Sequence, residues 1–260
     1  MVEMIHSIKK GVGLPGLLKG VSLLILAMVT IRWFYLINQY SVNLLYWDQW
    51  DFYQPLFGGD NIWEVFRWQH GPHRQGIGFV VTRFLADFSG WNTRVDAFAI
   101  GMTIFVAMGL ALALEARLFG ALNWNDILIL PVLFLTPLQF EIFANTPNLS
   151  HGAMPLLLII LYCLTLTLPG VLLRSSSIVL LNFGLVYTGF GLFVGLITPI
   201  YFLSEAIFAH QKKNGLGLTI FLAGFLISVL TLGSFFIDYN FIPAAPNFQF
   251  PYPRRRTENR

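Results

Sequence analysis

"VDAFAIGMTIFVAMGLALALEA", residues 95–116, decides the fold. No charged side chain interrupts residues 97–114, and about 20 apolar residues is the helical length that crosses ~30 Å of hydrocarbon. Comparable stretches recur at 17–37, 126–143, 153–173 and 215–237. The segment 176–209 is apolar for too long to be one ordinary span. Gly184, Gly189, Gly191, Gly195 and Pro199 are able to turn or kink it midway, so it reads as two short helices. The expectation is an all-α, polytopic transmembrane helical bundle of about seven spans, forming a single membrane domain over 1–260.

Composition agrees. The chain is 56% hydrophobic and only 11% charged, where a soluble domain carries about 25% charged residues. Membrane β-strands would alternate with a period of two, and these stretches do not. A scattered net charge of +3 argues against nucleic acid as a partner. Cys163 is the only cysteine, which excludes an intrachain disulfide and a thiolate metal site. Lys9, Lys10 and Lys19 precede the first apolar run as in a signal peptide, but the run reaches Ile37 and no small-residue cleavage site follows, so it reads as a retained first span.

Lysine and arginine near span ends set the expected orientation. With the N-terminus cytoplasmic, all five lysines (9, 10, 19, 212 and 213) lie inside, joined by Arg117 and Arg174. Arg67, Arg74, Arg83, Arg94 and the tail arginines 254, 255, 256 and 260 then lie outside. An anionic ligand there would account for them, because guanidinium forks onto phosphate oxygens; so would the tolerance of long loops for charge. Glu205 near an inner helix end is expected to pair with Lys212 or Lys213. The proline-rich, basic tail 238–260 is expected to lack structure of its own.

The first loop, 38–93, gathers most of the chemistry. Five of the seven tryptophans fall in it, and tryptophan prefers the membrane–water boundary. Segments near 50–69 and 76–88 read as short interfacial helices broken at Gly71-Pro72. In "LLYWDQWDFYQPL" (44–56), Asp48 and Asp51 would share a helical face. One close carboxylate can serve as general base while the other orients a substrate or metal; otherwise both simply face water. Tyr46, Trp47, Trp50, Phe52 and Tyr53 around them exclude water and offer stacking surface to a sugar ring or lipid neck. "WQHGPHRQG" (68–76) brings His70, His73 and Arg74 around a turn. Two histidines with two aspartates could hold a divalent ion, although this spacing is not a recognised metal signature. Arg74 is a candidate phosphate clamp. In "TPLQFEIFANTPNLSHG" (136–152), Glu141 ends an apolar span, a functional position or an interface marker. Asn148-Leu149-Ser150 fits the glycosylation triplet, a pattern common by chance.

The order of these motifs resembles the bacterial GT-C glycosyltransferase-like membrane proteins. "YWDQWDFY" (46–53) is similar to that family's acidic motif in the first external loop, which brings Asp48 and Asp51 into correspondence. "HGPHRQGIGF" (70–79) resembles the second motif through His73-Arg74, with Pro72 in place of its acidic residue. "LTPLQFEIF" (135–143) resembles the third through Gln139 and Glu141, with Ile142 where asparagine is expected. The resemblance implies a membrane enzyme that takes a sugar from a polyprenyl-phosphate donor and passes it to a glycan, lipid or protein acceptor on the extracytoplasmic face of the inner membrane. A loop aspartate would deprotonate the acceptor, inversion would follow from a single displacement, and Arg74 or Arg83 would meet the charge on the leaving phosphate. Substrate contacts would come from Trp47, Trp50, His70, His73, Arg74, Arg83, Gln139 and Glu141. No cofactor is required by that chemistry, and a divalent cation is compatible with it. Members of this group run longer, so the resemblance also implies a fragment or a short relative of the N-terminal module.

Two other classes stay open. A non-catalytic relative or accessory subunit would pack against partner spans, for which the small-residue pattern Gly191-Leu-Phe-Val-Gly195 is suited. A transporter or flippase would place ionisable groups at mid-membrane and show repeated halves; no repeat is present and the charges cluster outside.

Overall fold

A computed structural model describes residues 16–45, 49–139, 148–189 and 191–241. It is nearly all-α, with strand confined to one two-residue hairpin among the described residues. Helix α1 (Gly16–Tyr40) leads into a loop region built of α2 (Gln49–Phe52), α3 (Gln54–Phe57), α4 (Ile62–Arg67), the hairpin β1 (Gln69–His70) and β2 (His73–Arg74), and α5 (Gly76–Ser89). Then come α6 (Thr93–Phe119), α7 (Trp124–Phe134), a 3-10 turn (Pro137–Gln139), a π-turn (Leu149–Ala153), α8 (Met154–Leu166), α9 (Val171–Val186), α10 (Gly191–Gly195), α11 (Ile197–Gln211) and α12 (Gly215–Phe235).

Among the described residues five segments are long and apolar enough to cross a membrane: Leu18–Tyr40, Thr93–Phe119, Leu149–Leu166, Gly191–Gln211 and Gly215–Phe235. The other two expected spans contain shorter apolar helices, α7 and α9. The stretch expected at 126–143 leaves the helix after Phe134, and at 1.5 Å per residue the 11 residues of α7 cover about half of a bilayer core. The stretch expected at 153–173 starts earlier, in the π-turn, and stops at Leu166. Pro169 forces its predecessor away from helical backbone, and Gly170 caps the next helix, so 171–173 belong to α9. The break expected within 176–209 falls after Val186. Gly191 and Gly195 serve contacts inside this chain. A methyl group on Gly191 would collide with the Leu185 carbonyl oxygen at 1.6 Å, and one on Gly195 with Val186 at 2.5 Å.

Successive helices reverse direction. Thr93 at the start of α6 donates to the carbonyl of Val42 just beyond α1, and Arg94 reaches Asn38. At the far end Arg117 of α6 donates to Thr167, which follows α8. The π-turn before α8 meets the chain just after α9, where Gly189 N–H donates to the Ser150 carbonyl. The core between the helices is built on Trp33, Ile37, Ile100, Ile104, Leu149, Ile178, Leu185 and Phe202. Outward faces carry Ile31, Leu180 and Leu216, each at least 70% exposed, an inside-out distribution that only lipid satisfies. The chain is a multi-pass membrane protein.

The interfacial segments expected near 50–69 and 76–88 fold as a small subdomain. Asn61 caps α4 by accepting from the N–H groups of Trp63 and Glu64, and Pro55 opens α3 where no donor is needed. The break at Gly71-Pro72 is a two-residue hairpin turn, with Gly71 at φ +59, the sign required at the first position of a II′ turn. Gly90 in the left-handed region ends α5 before Asn92 caps α6. Phe52, Tyr53, Leu56, Val65 and Phe79 form the subdomain's own core.

Candidate functional site

The subdomain docks on the helix ends by close approach. Gly78 in the first turn of α5 lies where a methyl group would meet Ser150 Cα at 2.6 Å, and Gly76 where it would meet the Tyr187 carbonyl oxygen at 2.3 Å. Gly189 gives the same closeness to His151, at 2.8 Å from its Cα. These three glycines wedge the hairpin and α5 between the π-turn and the end of α9.

That wedge brings three imidazoles together. His70 and His73 face each other across the hairpin register. The His73 ring lies 5.2 Å from His151, and the His70 ring stacks 6.4 Å from it. Burial lowers the pKa of His73; a hydrogen bond to the Gly189 backbone opposes the shift and the nearby His70 adds to it. Around the cluster, Nε2 of His151, Oγ of Ser150 and both side-chain polar atoms of Gln75 are buried without a partner among the described residues. Buried orphans of this kind are rare and mark sites where water or a ligand completes the set. Among the described residues no group of three or more His, Cys, Asp or Glu side chains is arranged to hold a metal ion.

Arg74 is the tether. It is 4% exposed, its Nε and Nη2 donate to the Phe235 carbonyl at 3.2 and 3.1 Å, Nη2 also donates to Ile237, and Nη1 donates to Arg67. Four of its five N–H donors thus serve backbone carbonyls, most of them at the C-terminus of α12, where a cation is favoured. Arg83 pairs with Asp87 at 3.3 Å and donates Nη1 to the Asp60 carbonyl. Asp51 lies in the first turn of α2, exposed, next to Trp50, which is 58% exposed. Trp50, Phe57 and Trp91 make a shelf, with ring separations of 6.2 Å for Trp50–Phe57 and 5.2 Å for the stacked Phe57–Trp91. Phe52 sets its edge 5.8 Å from the His70 ring and so joins α2 to the hairpin. Gln139 closes the 3-10 turn, while Trp47, Asp48 and Glu141 lie outside the described residues.

Sequence reasoning passed over His151, Gln75, Ser150 and the pair Tyr53–Asp96. Asp96 is 3% exposed and accepts a 2.5 Å hydrogen bond from Tyr53. An ionisable group in the first turn of an apolar span was the available signal for both Asp96 and His151. Ser150, the third residue of the Asn148-Leu149-Ser150 triplet, is fully buried, while Asn148 is half-buried. No protein-family model, curated protein or solved structure matches this chain, so the site is read from its own geometry.

Proposed function

We propose that the chain is a GT-C-like glycosyltransferase that moves a sugar from a polyprenyl-phosphate donor to an acceptor at the extracytoplasmic face of the inner membrane, crossing it seven times with the N-terminus cytoplasmic. The observation that carries this reading is the folded loop subdomain seated on the helix ends, which presents Asp51 beside the exposed Trp50–Phe57–Trp91 shelf. An apolar wall beside a carboxylate suits a base that must act on a hydroxyl near a lipid headgroup. The alternation of helix directions supports seven passages, and Lys19, Arg117, Arg174, Lys212 and Lys213 fall together at the end away from the loop.

In this reaction the acceptor oxygen attacks the anomeric carbon as its proton passes to Asp48 or Asp51. The bond from that carbon to phosphate oxygen breaks, and the lipid phosphate departs with the electron pair. Arg83, with its Nη2 unengaged among the described residues and its side chain 26% exposed, is the better cation for that phosphate, because Arg74 is committed to carbonyls. Trp50, Phe57 and Trp91 line the approach.

Asp48→Asn and Asp51→Asn chains, assayed with a polyprenyl-phosphate sugar after their membrane insertion is verified, are expected to lose transfer in at least one case. Unchanged transfer in both defeats the assignment. A Cys163→Ser, Asp51→Cys chain tests the topology: an impermeant thiol reagent should label it from outside. The structural commitment of Arg67 and Arg74 favours a second reading, a non-catalytic accessory subunit, which predicts no transfer and a stable co-purifying partner.

A further inference from the structure

Two cavities lie where the loop subdomain meets α9 and α12. The first, about 390 Å³, is polar and lies between the loop subdomain and the end of α12, lined by Asp60, Glu64, Arg67, Trp68, Arg74 and Asp238 among others. The second, about 480 Å³, is an apolar groove along the lipid-facing surface between α9 and α12, lined by Leu172, Val179, Phe183, Ile227 and Thr231 among others. Rings join them. Phe183 of the groove stacks on Phe66 at 5.5 Å and 9°, and Phe66 stacks on Trp63 at 5.6 Å and 15°. Phe66 immediately precedes Arg67 of the polar cavity, and one helical turn separates Thr231 from Phe235, where Arg74 is anchored.

The groups left unspent in the polar cavity define its ligand. The Asp60 carboxylate is half-buried and makes no hydrogen bond or ion pair among the described residues, although Arg83 holds its main-chain carbonyl. The Trp68 indole N–H is buried without an acceptor. Arg67 uses Nε on Glu64 and Nη1 on Asp238, each at 2.8 Å, and its Nη2 remains open among the described residues. A ligand that fits must bring a cationic donor for Asp60 and an anionic acceptor for Trp68 and Arg67, with an apolar chain behind them for the groove.

We propose that this pair of cavities is a phospholipid site selective for a zwitterionic head carrying a primary ammonium: the ammonium on Asp60, the phosphate on Trp68 and Arg67, the glycerol neck against the Trp63–Phe66–Phe183 stack, and one acyl chain in the α9–α12 groove. An anionic head without an amine would leave Asp60 unpaired and repelled. A quaternary ammonium would bring charge but no N–H donor. The site is separate from Asp51 and does not depend on sugar transfer.

The test uses the full chain in mild detergent, titrated with dioleoyl phosphatidylethanolamine, its mono- and dimethyl derivatives, phosphatidylcholine and phosphatidylglycerol, with bound lipid counted by native mass spectrometry. One ethanolamine lipid should bind per chain, with affinity falling stepwise on methylation to roughly tenfold weaker for choline, the size of one charge-assisted hydrogen bond. Asp60→Asn should bring the ethanolamine lipid down to the choline level, and Ala223→Phe, which fills the groove, should weaken all of them. Equal affinity across the methylation series in the unaltered chain, or preference for phosphatidylglycerol, overturns the proposal whether or not either variant folds. Retention of full selectivity by Asp60→Asn overturns it as well.

Discussion

Replacing Arg74 by alanine tests how the loop subdomain is held. The side chain is almost wholly buried and gives four hydrogen bonds to carbonyl oxygens of Phe235, Ile237 and Arg67. A hydrogen bond to a charged group is worth about 1.5–3 kcal/mol, and a cation at a helix C-terminus up to ~2 kcal/mol in a partly buried setting. These values do not add, so the expected loss is ~3 kcal/mol of docking. That corresponds to roughly a hundredfold rise in local opening. The assay is amide hydrogen exchange across residues 62–75 in detergent, read against α6 as an internal reference: the segment should exchange about a hundredfold faster while α6 is unchanged. Arg74→Lys should recover no more than half the effect, because an ammonium cannot fork onto Phe235 and Ile237 while also reaching Arg67. Unaltered protection in Arg74→Ala would refute the tether, as would acceleration spread evenly over the whole chain.

Tyr53→Phe removes the hydroxyl that donates to buried Asp96 and should cost about 1.5–3 kcal/mol, seen as a lower thermal midpoint in detergent. Gly78→Val drives a branched side chain into the Ser150 backbone and should undock α5, with new proteolytic cleavage between residues 70 and 90. Because burial lowers the pKa of His73, the unfolded hairpin binds the proton more readily than the docked one. For this group docking stability is therefore full above about pH 6.5 and declines as pH falls below that value through the folded pKa, so exchange over residues 69–74 should accelerate on acidification and lose part of that dependence in His73→Gln.

The spans were legible where hydropathy alone decides them. α6 and α12 were expected at 95–116 and 215–237 and stand at Thr93–Phe119 and Gly215–Phe235, the ends set by Asn92, Gly120 and Asn214 caps. Where apolar character ran past a stop signal, hydropathy misled. It carried the fourth span through Pro169, and it carried the third past Phe134, where the chain tightens into a 3-10 turn. The loop yielded its local turn, since Gly71-Pro72 speaks for itself in one dimension. Its tertiary contacts did not. Nothing in "WQHGPHRQG" tells that Arg74 will be consumed by carbonyls 161 residues away, or that His73 will meet His151. Such pairings follow from glycines at 76, 78 and 189 whose role becomes visible only once the surfaces they bring together are known.

The position of Arg74 also bears on how a substrate reaches Asp51. A lid that opened for each turnover would have to break the guanidinium's four bonds to carbonyls, expose the carbonyl end of α12 and separate Gly78 from Ser150. Local openings that cost several kcal/mol are populated too seldom to serve as a routine gate. The loop subdomain is better described as a fixed bracket across the outer helix ends, satisfying backbone groups that would otherwise face a low-dielectric boundary. Access must then run along the bracket's exposed margin, past Trp50, Phe57 and Trp91, and the lipid-facing groove between α9 and α12 stays available as well. A disulfide or crosslink that locks the hairpin to α12, for instance through residues 69 and 240, which already exchange hydrogen bonds, should therefore leave access to Asp51 by carbodiimide probes unchanged. Slowed labelling of Asp51 in the locked chain would show that the bracket moves and that Arg74 is a latch.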